Sequence, residues 1–179
     1  MSKIREIAII GGGCFWCTEA VYRQLKGVIS VEPGYAGGET ENPTYQEVCT
    51  STTGHAEVIR VEFDSSVISY KELLDVFWTV HDPTTPNQQG SDVGSQYRSI
   101  ILFSSEEQHR VAMESRSQME MSCLYPKPIV TEVVPLKKFY PAEDYHRDYF
   151  SNHQSQPYCS MIIRPKLQHF SKIFSDLLK

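Results

Sequence analysis

No apolar run in this 179-residue sequence approaches the ~18 residues of a membrane span, which excludes a hydrophobic helical anchor. Nor do basic residues gather. Seventeen Lys and Arg stand against 22 Asp and Glu, a net charge of −5, without the basic stripe that a phosphate-tracking nucleic-acid binder needs. The apolar stretch after Met1–Glu6 is too short for a secretory signal, so the expected address is the cytoplasm. Cysteine is sparse and odd in number, five in all, where a secreted disulfide framework would be denser and even. In a reducing compartment those five are thiols at rest. No Ser/Gly linker, repeat or low-complexity tract divides the chain, and its length suits a single domain, 1–179. With 40% hydrophobic and 22% charged residues it can bury a core.

Lys3 to Ile10 reads as a strand running into Gly11-Gly12-Gly13, then a helix from Cys14 to Lys26 stopped by Gly27. A strand from Val28 to Val31 should end at Pro33-Gly34, with a loop through Pro43. His55 to Asp64 reads as a strand in which Glu57, Ile59, Val61 and Phe63 share one face. Ser69 and Glu72 make a capping box for a helix ending before Pro83, and a polar loop of about 15 residues follows to Gln96. Further strands are expected over Tyr97–Phe103 and Ile129–Val134. Helices are expected from the Ser104–Glu107 capping box to Met121, over Ala142–Phe150, and from Pro165 to Leu178. Strands and helices without strict alternation make an α+β two-layer domain.

The chemistry concentrates in Gly11-Gly12-Gly13-Cys14-Phe15-Trp16-Cys17. A glycine turn before a helix puts Cys14 at the helix N-terminus, where free N–H groups and the dipole favour its thiolate and should lower its pKa. Phe15 and Trp16 offer apolar faces for a small apolar group. Cys17, one turn on, is within disulfide reach. Two small core residues, or a zinc site, would also fit a Cys-x-x-Cys pair. A zinc site lacks its second Cys-x-x-Cys and any His pair at ligand spacing.

Glu57, in phase with apolar residues, would hold a proton near neutral pH if buried, or be a solvated carboxylate if the strand end frays. Asp92, Tyr97, Tyr45 and His146 carry weaker signals: a turn former, two of ten tyrosines, and a helix-surface histidine. Cys159, on what reads as a mobile segment, could swing to meet a distant sulfur. Cys49 and Cys123 have no special setting.

Gly12-Gly13-Cys14-Phe15-Trp16-Cys17 resembles the signature of the peptide methionine sulfoxide reductase A family. The resemblance continues through Gly34–Gly38, Asn42–Tyr45, Thr53–Glu57, His81–Thr85, Gln96–Ser99 and Ala142–His146, covering the chain from about Ile7 to Phe150. It implies thiol-dependent reduction of the S-epimer of methionine sulfoxide, free or in proteins, with thioredoxin as reductant and neither metal nor organic cofactor. It implies a ferredoxin-like two-layer fold; charge and pI leave the oligomeric state open, with a monomer the default. Carried over, Cys14 matches the nucleophile, Phe15 and Trp16 the methyl pocket, and Glu57 the acid. Tyr45, Tyr97 and Asp92 match the groups that hold the sulfoxide oxygen and substrate, and His146 joins the substrate-binding set. Many members have Gly where this chain has Cys17, so the resolving thiol is either Cys17 or Cys159. Ser95 stands where the family often has Thr. A general thiol–disulfide oxidoreductase built on Cys14 and Cys17 is the alternative; it would need neither Glu57 nor the tyrosines.

Overall fold

Apolar residues follow one another from Ile7 to Ile10 along Arg5–Gly11 (β1) because both faces of this strand are covered. Ala8 and Ile10 enter one buried cluster, while Ile7 and Ile9 pack in another. In the computed structural model, which describes residues 4–179, β1 lies inside a mixed sheet. Lys3, the expected start of the strand, lies outside the described residues.

The chain continues through α1 (Phe15–Tyr22), β2 (Val28–Ala36), α2 (Tyr45–Cys49), β3 (Ala56–Asp64) and α3 (Tyr70–Val80). A small hairpin, β4 (Gln88–Gln89) and β5 (Asp92–Val93), precedes β6 (Ile100–Phe103), α4 (Glu106–Met121), β7 (Glu132–Pro135) and β8 (Phe139–Pro141). α5 (Tyr149–Asn152) and α6 (Arg164–Ile173) follow. Among the described residues the main sheet has six strands in the order β7-β6-β1-β3-β2-β8. Its pairs are antiparallel except β6 with β7. Residues of α1, α3, α4 and α6 share the larger cluster with Ile59, Val61 and Phe63 of β3. The smaller cluster lies on the other face, with Leu136 and Phe139 packed on it. Mixed sheet and helices make the α+β architecture expected from the element order.

Several expectations are corrected. β2 runs on through Pro33-Gly34, because β8 pairs with it only over Gly34–Ala36 and Pro33 sits where no ladder N–H is missed. α1 ends at Tyr22, four residues early; Lys26 N–H instead donates to Leu177 O (2.7 Å), tying the turn to the C-terminal segment. The cap of α4 is Ser105, whose hydroxyl accepts Gln108 N–H while Gln108 Oε1 accepts Ser104 N–H. Tyr97 belongs to a 3-10 turn, Ser95–Tyr97, rather than to β6. The expected helix over Ala142–Phe150 is broken into a 3-10 turn, Asp144–His146, and α5, with Asp148 left-handed at φ 54° between them.

The approach to β3 is set by a clamp. His55 Nδ1 accepts Gly38 N–H (3.0 Å), so its proton sits on Nε2 and faces Thr40 O at 2.7 Å. A Cβ on Gly38 would lie 2.4–2.5 Å from His55 N, Gly54 C and Thr53 O, all backbone atoms that no rotamer change can move. Gly38→Ala should therefore lower unfolding free energy by about 1–3 kcal/mol in urea titration. A loss below about 0.5 kcal/mol, the range of ordinary surface substitutions, would mean the two loops part freely.

Candidate active site

Gly13 adopts φ 91°, a left-handed backbone open to glycine, and a Cβ there would meet Gln89 Cγ at 2.7 Å. That turn makes Cys14 the N-cap of α1, its carbonyl accepting Cys17 N–H (3.1 Å) and Thr18 N–H (3.4 Å). The first-turn amides have other uses. Phe15 N–H donates to Glu57 Oε1 at 3.1 Å, and Trp16 N–H donates to the Cys14 sulfur.

The expected lowering of the Cys14 thiol is reversed. Burial first, then donation of its proton to Cys17, then the Glu57 carboxylate, raise it well above the ordinary value, and the Trp16 N–H opposes them. Cys17 moves the other way, lowered chiefly by the hydrogen bond from Cys14 and helped by Lys166 and Tyr158 against its burial. The two thiols act as one pair whose first negative charge rests on Cys17.

Glu57 is 1% exposed, in phase with Ile59, Val61 and Phe63 of the larger cluster, so the buried alternative holds over the solvated one. Burial pushes its pKa up to about 8 against the Phe15 N–H, with Asp92 and Cys17 adding to the rise. At neutral pH it carries a proton. Tyr45, first residue of α2, and Tyr97 are half-buried phenols. Both are held neutral, first by burial and next by Glu57.

An aromatic clamp fixes Trp16. Its indole N–H donates to His146 Nδ1 (3.0 Å), Tyr149 stacks on it at 3.8 Å and 7°, and Tyr158 meets it edge-on at 5.9 Å. His146 is fully buried, which corrects the surface reading, and burial lowers its pKa. Accepting at Nδ1, it is neutral with its proton on Nε2. Phe15 and Tyr45 pack on the same ring, at 5.0 and 4.6 Å.

Asp92, on β5, accepts the Tyr158 hydroxyl at 2.7 Å, and that hydroxyl lies 3.9 Å from Cys17 Sγ. Cys159, expected on a mobile segment, is fully buried at the start of a π-helical segment, Cys159–Ile163. Burial raises its thiol, and the Cys17 charge, close enough to act, raises it further. Three residues escaped the sequence reading. Tyr158 had only its place beside Cys159 as a signal. Glu143 lay within the Ala142–His146 motif; it accepts Tyr35 OH (2.9 Å) and Tyr45 N–H (3.0 Å) and so anchors α2. Cys49, one turn after Tyr45, hydrogen-bonds with that phenol. Among the described residues no group of three or more His, Cys, Asp or Glu side chains could hold a metal ion, and no helix is long and apolar enough to cross a membrane.

A family model described as peptide methionine sulfoxide reductase matches residues 6–177. The peptide methionine sulfoxide reductase MsrA of Sulfolobus acidocaldarius is 58% identical over 171 residues, 96% of each chain. That of Saccharolobus solfataricus is 56% identical over 174 residues, 97% of each chain. The crystal structure of Mxr1 from Saccharomyces cerevisiae in reduced form gives a TM-score of 0.81 at 33% identity, covering 87% of this chain and 89% of that one.

Proposed function

The chain belongs to the peptide methionine sulfoxide reductase family, and on that premise we propose that it reduces the S-epimer of methionine sulfoxide, free or in proteins, through Cys14. The observation that carries the residue roles is the Phe15 N–H hydrogen bond to a buried, proton-bearing Glu57 beside the N-cap cysteine. A sulfoxide sulfur is a poor electrophile until its oxygen is protonated or strongly hydrogen-bonded. Neutral Glu57 gives that proton, while the Tyr45 and Tyr97 phenols donate hydrogen bonds to the oxygen. Asp92 raises Glu57 from a distance and helps to hold the substrate.

Charge reaches Cys14 by a short path. Its proton already bonds to Cys17, so a shift across that bond leaves the thiolate on Cys14, and a protonated Glu57 no longer repels it. The thiolate attacks the sulfoxide sulfur; the oxygen, protonated by Glu57, then passes from that sulfur to the Cys14 sulfur as the transient S–S bond breaks, so methionine leaves and Cys14 is a sulfenic acid. Phe15 and the clamped Trp16 seat the methyl group, with His146 fixing the indole rather than touching the oxygen.

Cys17 is the resolving thiol in this reading. It is one turn away, already hydrogen-bonded to Cys14, and its thiolate is favoured. It displaces hydroxide from the sulfenic acid, forming the Cys14–Cys17 disulfide and water. Cys159 lies near enough to feel the Cys17 charge and takes the disulfide over in a second step before thioredoxin reduces it. The strand order β6-β1-β3-β2, with crossovers through α1 and α3, supports a ferredoxin-like two-layer core that β7 and β8 extend.

The test is turnover of separated S and R epimers of a methionine sulfoxide peptide, with a dithiol and with thioredoxin. Turnover of the S-epimer alone is expected. No turnover of either by folded, reduced protein would overturn the reading.

A further inference from the structure

We propose that Tyr158 and Asp92 form the proton path of the resolving step: Tyr158 takes the Cys17 thiol proton while passing its own to Asp92. This rests on the reading of Cys17 as the resolving thiol. The three groups stand in a row, Cys17 Sγ 3.9 Å from Tyr158 Oη and Tyr158 Oη 2.7 Å from Asp92 Oδ2. A phenol has one proton. While Cys17 is a thiol, Tyr158 gives its own proton to Asp92 and presents a lone pair to the Cys17 S–H; once that proton has crossed, the same hydroxyl donates back to the Cys17 thiolate, the contact that helps to lower Cys17.

The arrangement is held from several sides. The Tyr158 ring meets Trp16 edge-on at 5.9 Å and 78°, and the π-helical segment starting at Cys159 sets where the ring enters the site. Such one-turn widenings recur at functional positions. Among the titratable groups that face the pair, Asp92 comes from β5, Lys166 from α6, Glu57 from β3, and Cys14 from the start of α1. Asp92 is the carboxylate hydrogen-bonded to Tyr158, whereas Glu57 receives Phe15 N–H on the Cys14 side. Glu57 thus gives its proton in the sulfoxide step, and Asp92, beyond its part in holding the substrate, takes one in the disulfide step.

The balance is simple. Cys14–SOH and Cys17–SH become a disulfide and water: the S–O bond breaks, the S–S bond forms, the Cys14 sulfur is reduced and the Cys17 sulfur oxidised. The thiol proton passes through Tyr158 to Asp92, and one proton from solvent completes the departing hydroxide as water.

Tyr158→Phe keeps the ring and its edge contact with Trp16 while removing the relay atom. Mixed with the S-sulfoxide peptide and no external reductant, it should release one methionine per enzyme. The Cys14 sulfenic acid, scored by a dimedone trap, should then persist at least tenfold longer at pH 7 than in wild type, within the usual range of proton-transfer catalysis. Raising the pH ionises Cys17 without the relay, so the variant's resolving rate should converge on the wild-type rate. Asp92→Asn should slow resolution comparably, and the double variant no more than the slower single one. Wild-type resolution in Tyr158→Phe, a deficit constant across pH, or loss of its methionine burst would each overturn the proposal. A wild-type enzyme without the burst would instead overturn the reductase reading.

Discussion

Glutamine at Glu57 should lower the single-turnover rate of methionine formation from an S-sulfoxide peptide by about 10²–10⁴-fold. The amide still offers an oxygen to Phe15 N–H and could still hydrogen-bond a sulfoxide, but it has no proton to give. Cys14 should stay alkylatable by a neutral reagent within a few fold, showing an intact site. A loss under tenfold would take the acid's role from Glu57. The same group fixes the alkaline limb of the wild-type profile. With a pKa of about 8, the acid form prevails at pH 7, and the rate should fall toward tenfold per unit above pH 8. In Glu57→Gln that limb should vanish.

The acid that serves catalysis opposes folding. Burial raises the Glu57 pKa from 4.5 to about 8, so between those values the folded state holds a proton that the unfolded chain has lost. Unfolding free energy therefore falls as pH rises through that window: the favourable contribution is complete below pH 4.5 and gone above pH 8. Glu19, 1% exposed and pushed up to about 7 by burial, acts with the same sign over a narrower window. Glu57→Gln should thus unfold at higher urea than wild type at pH 9, by an amount on the order of a few kcal/mol, and at nearly equal urea at pH 4.5. Greater stability with lost activity is the trade expected where a site holds a group against its own preference.

What could be read from the sequence was what neighbours in the chain decide. The alternation of β3 put Glu57 in phase with Ile59, Val61 and Phe63 while leaving its burial open, and the glycine turn placed Cys14 at a helix start, because period and turn geometry are local. Ser69 and Glu72 announced α3 for the same reason, and both reciprocal bonds are present. Short and long-range features left no such trace. α2 has five residues, too few for a helical period to emerge. β2 crosses Pro33 because of where β8 stops, which its own sequence does not say. His146 is buried by Trp16, 130 positions away, and Tyr158 reaches Cys17 across 141. The Cys14 thiol carries both lessons: its helix-end amide was legible, whereas the burial, Cys17 and Glu57 that outweigh the amide were not.

With serine at Cys17, turnover supported by thioredoxin should stop after one methionine per enzyme, leaving a sulfenic acid on Cys14 that dimedone captures. Cys14→Ser, by contrast, should release no methionine at all. The difference follows from order: Cys14 attacks the sulfoxide alone, and Cys17 enters only once the oxygen has moved to Cys14. A small dithiol at high concentration should rescue Cys17→Ser, since it can attack the sulfenic acid directly and needs no resolving residue. Cys159→Ser should form the Cys14–Cys17 disulfide as fast as wild type, because its own thiol is fully buried and raised, and should slow only recycling by thioredoxin. The opposite pattern, arrest in Cys159→Ser and continued turnover in Cys17→Ser, would make Cys159 the resolving thiol. It would also require Cys159 to leave its buried place at the start of the π-helical segment and reach the Cys14 sulfur.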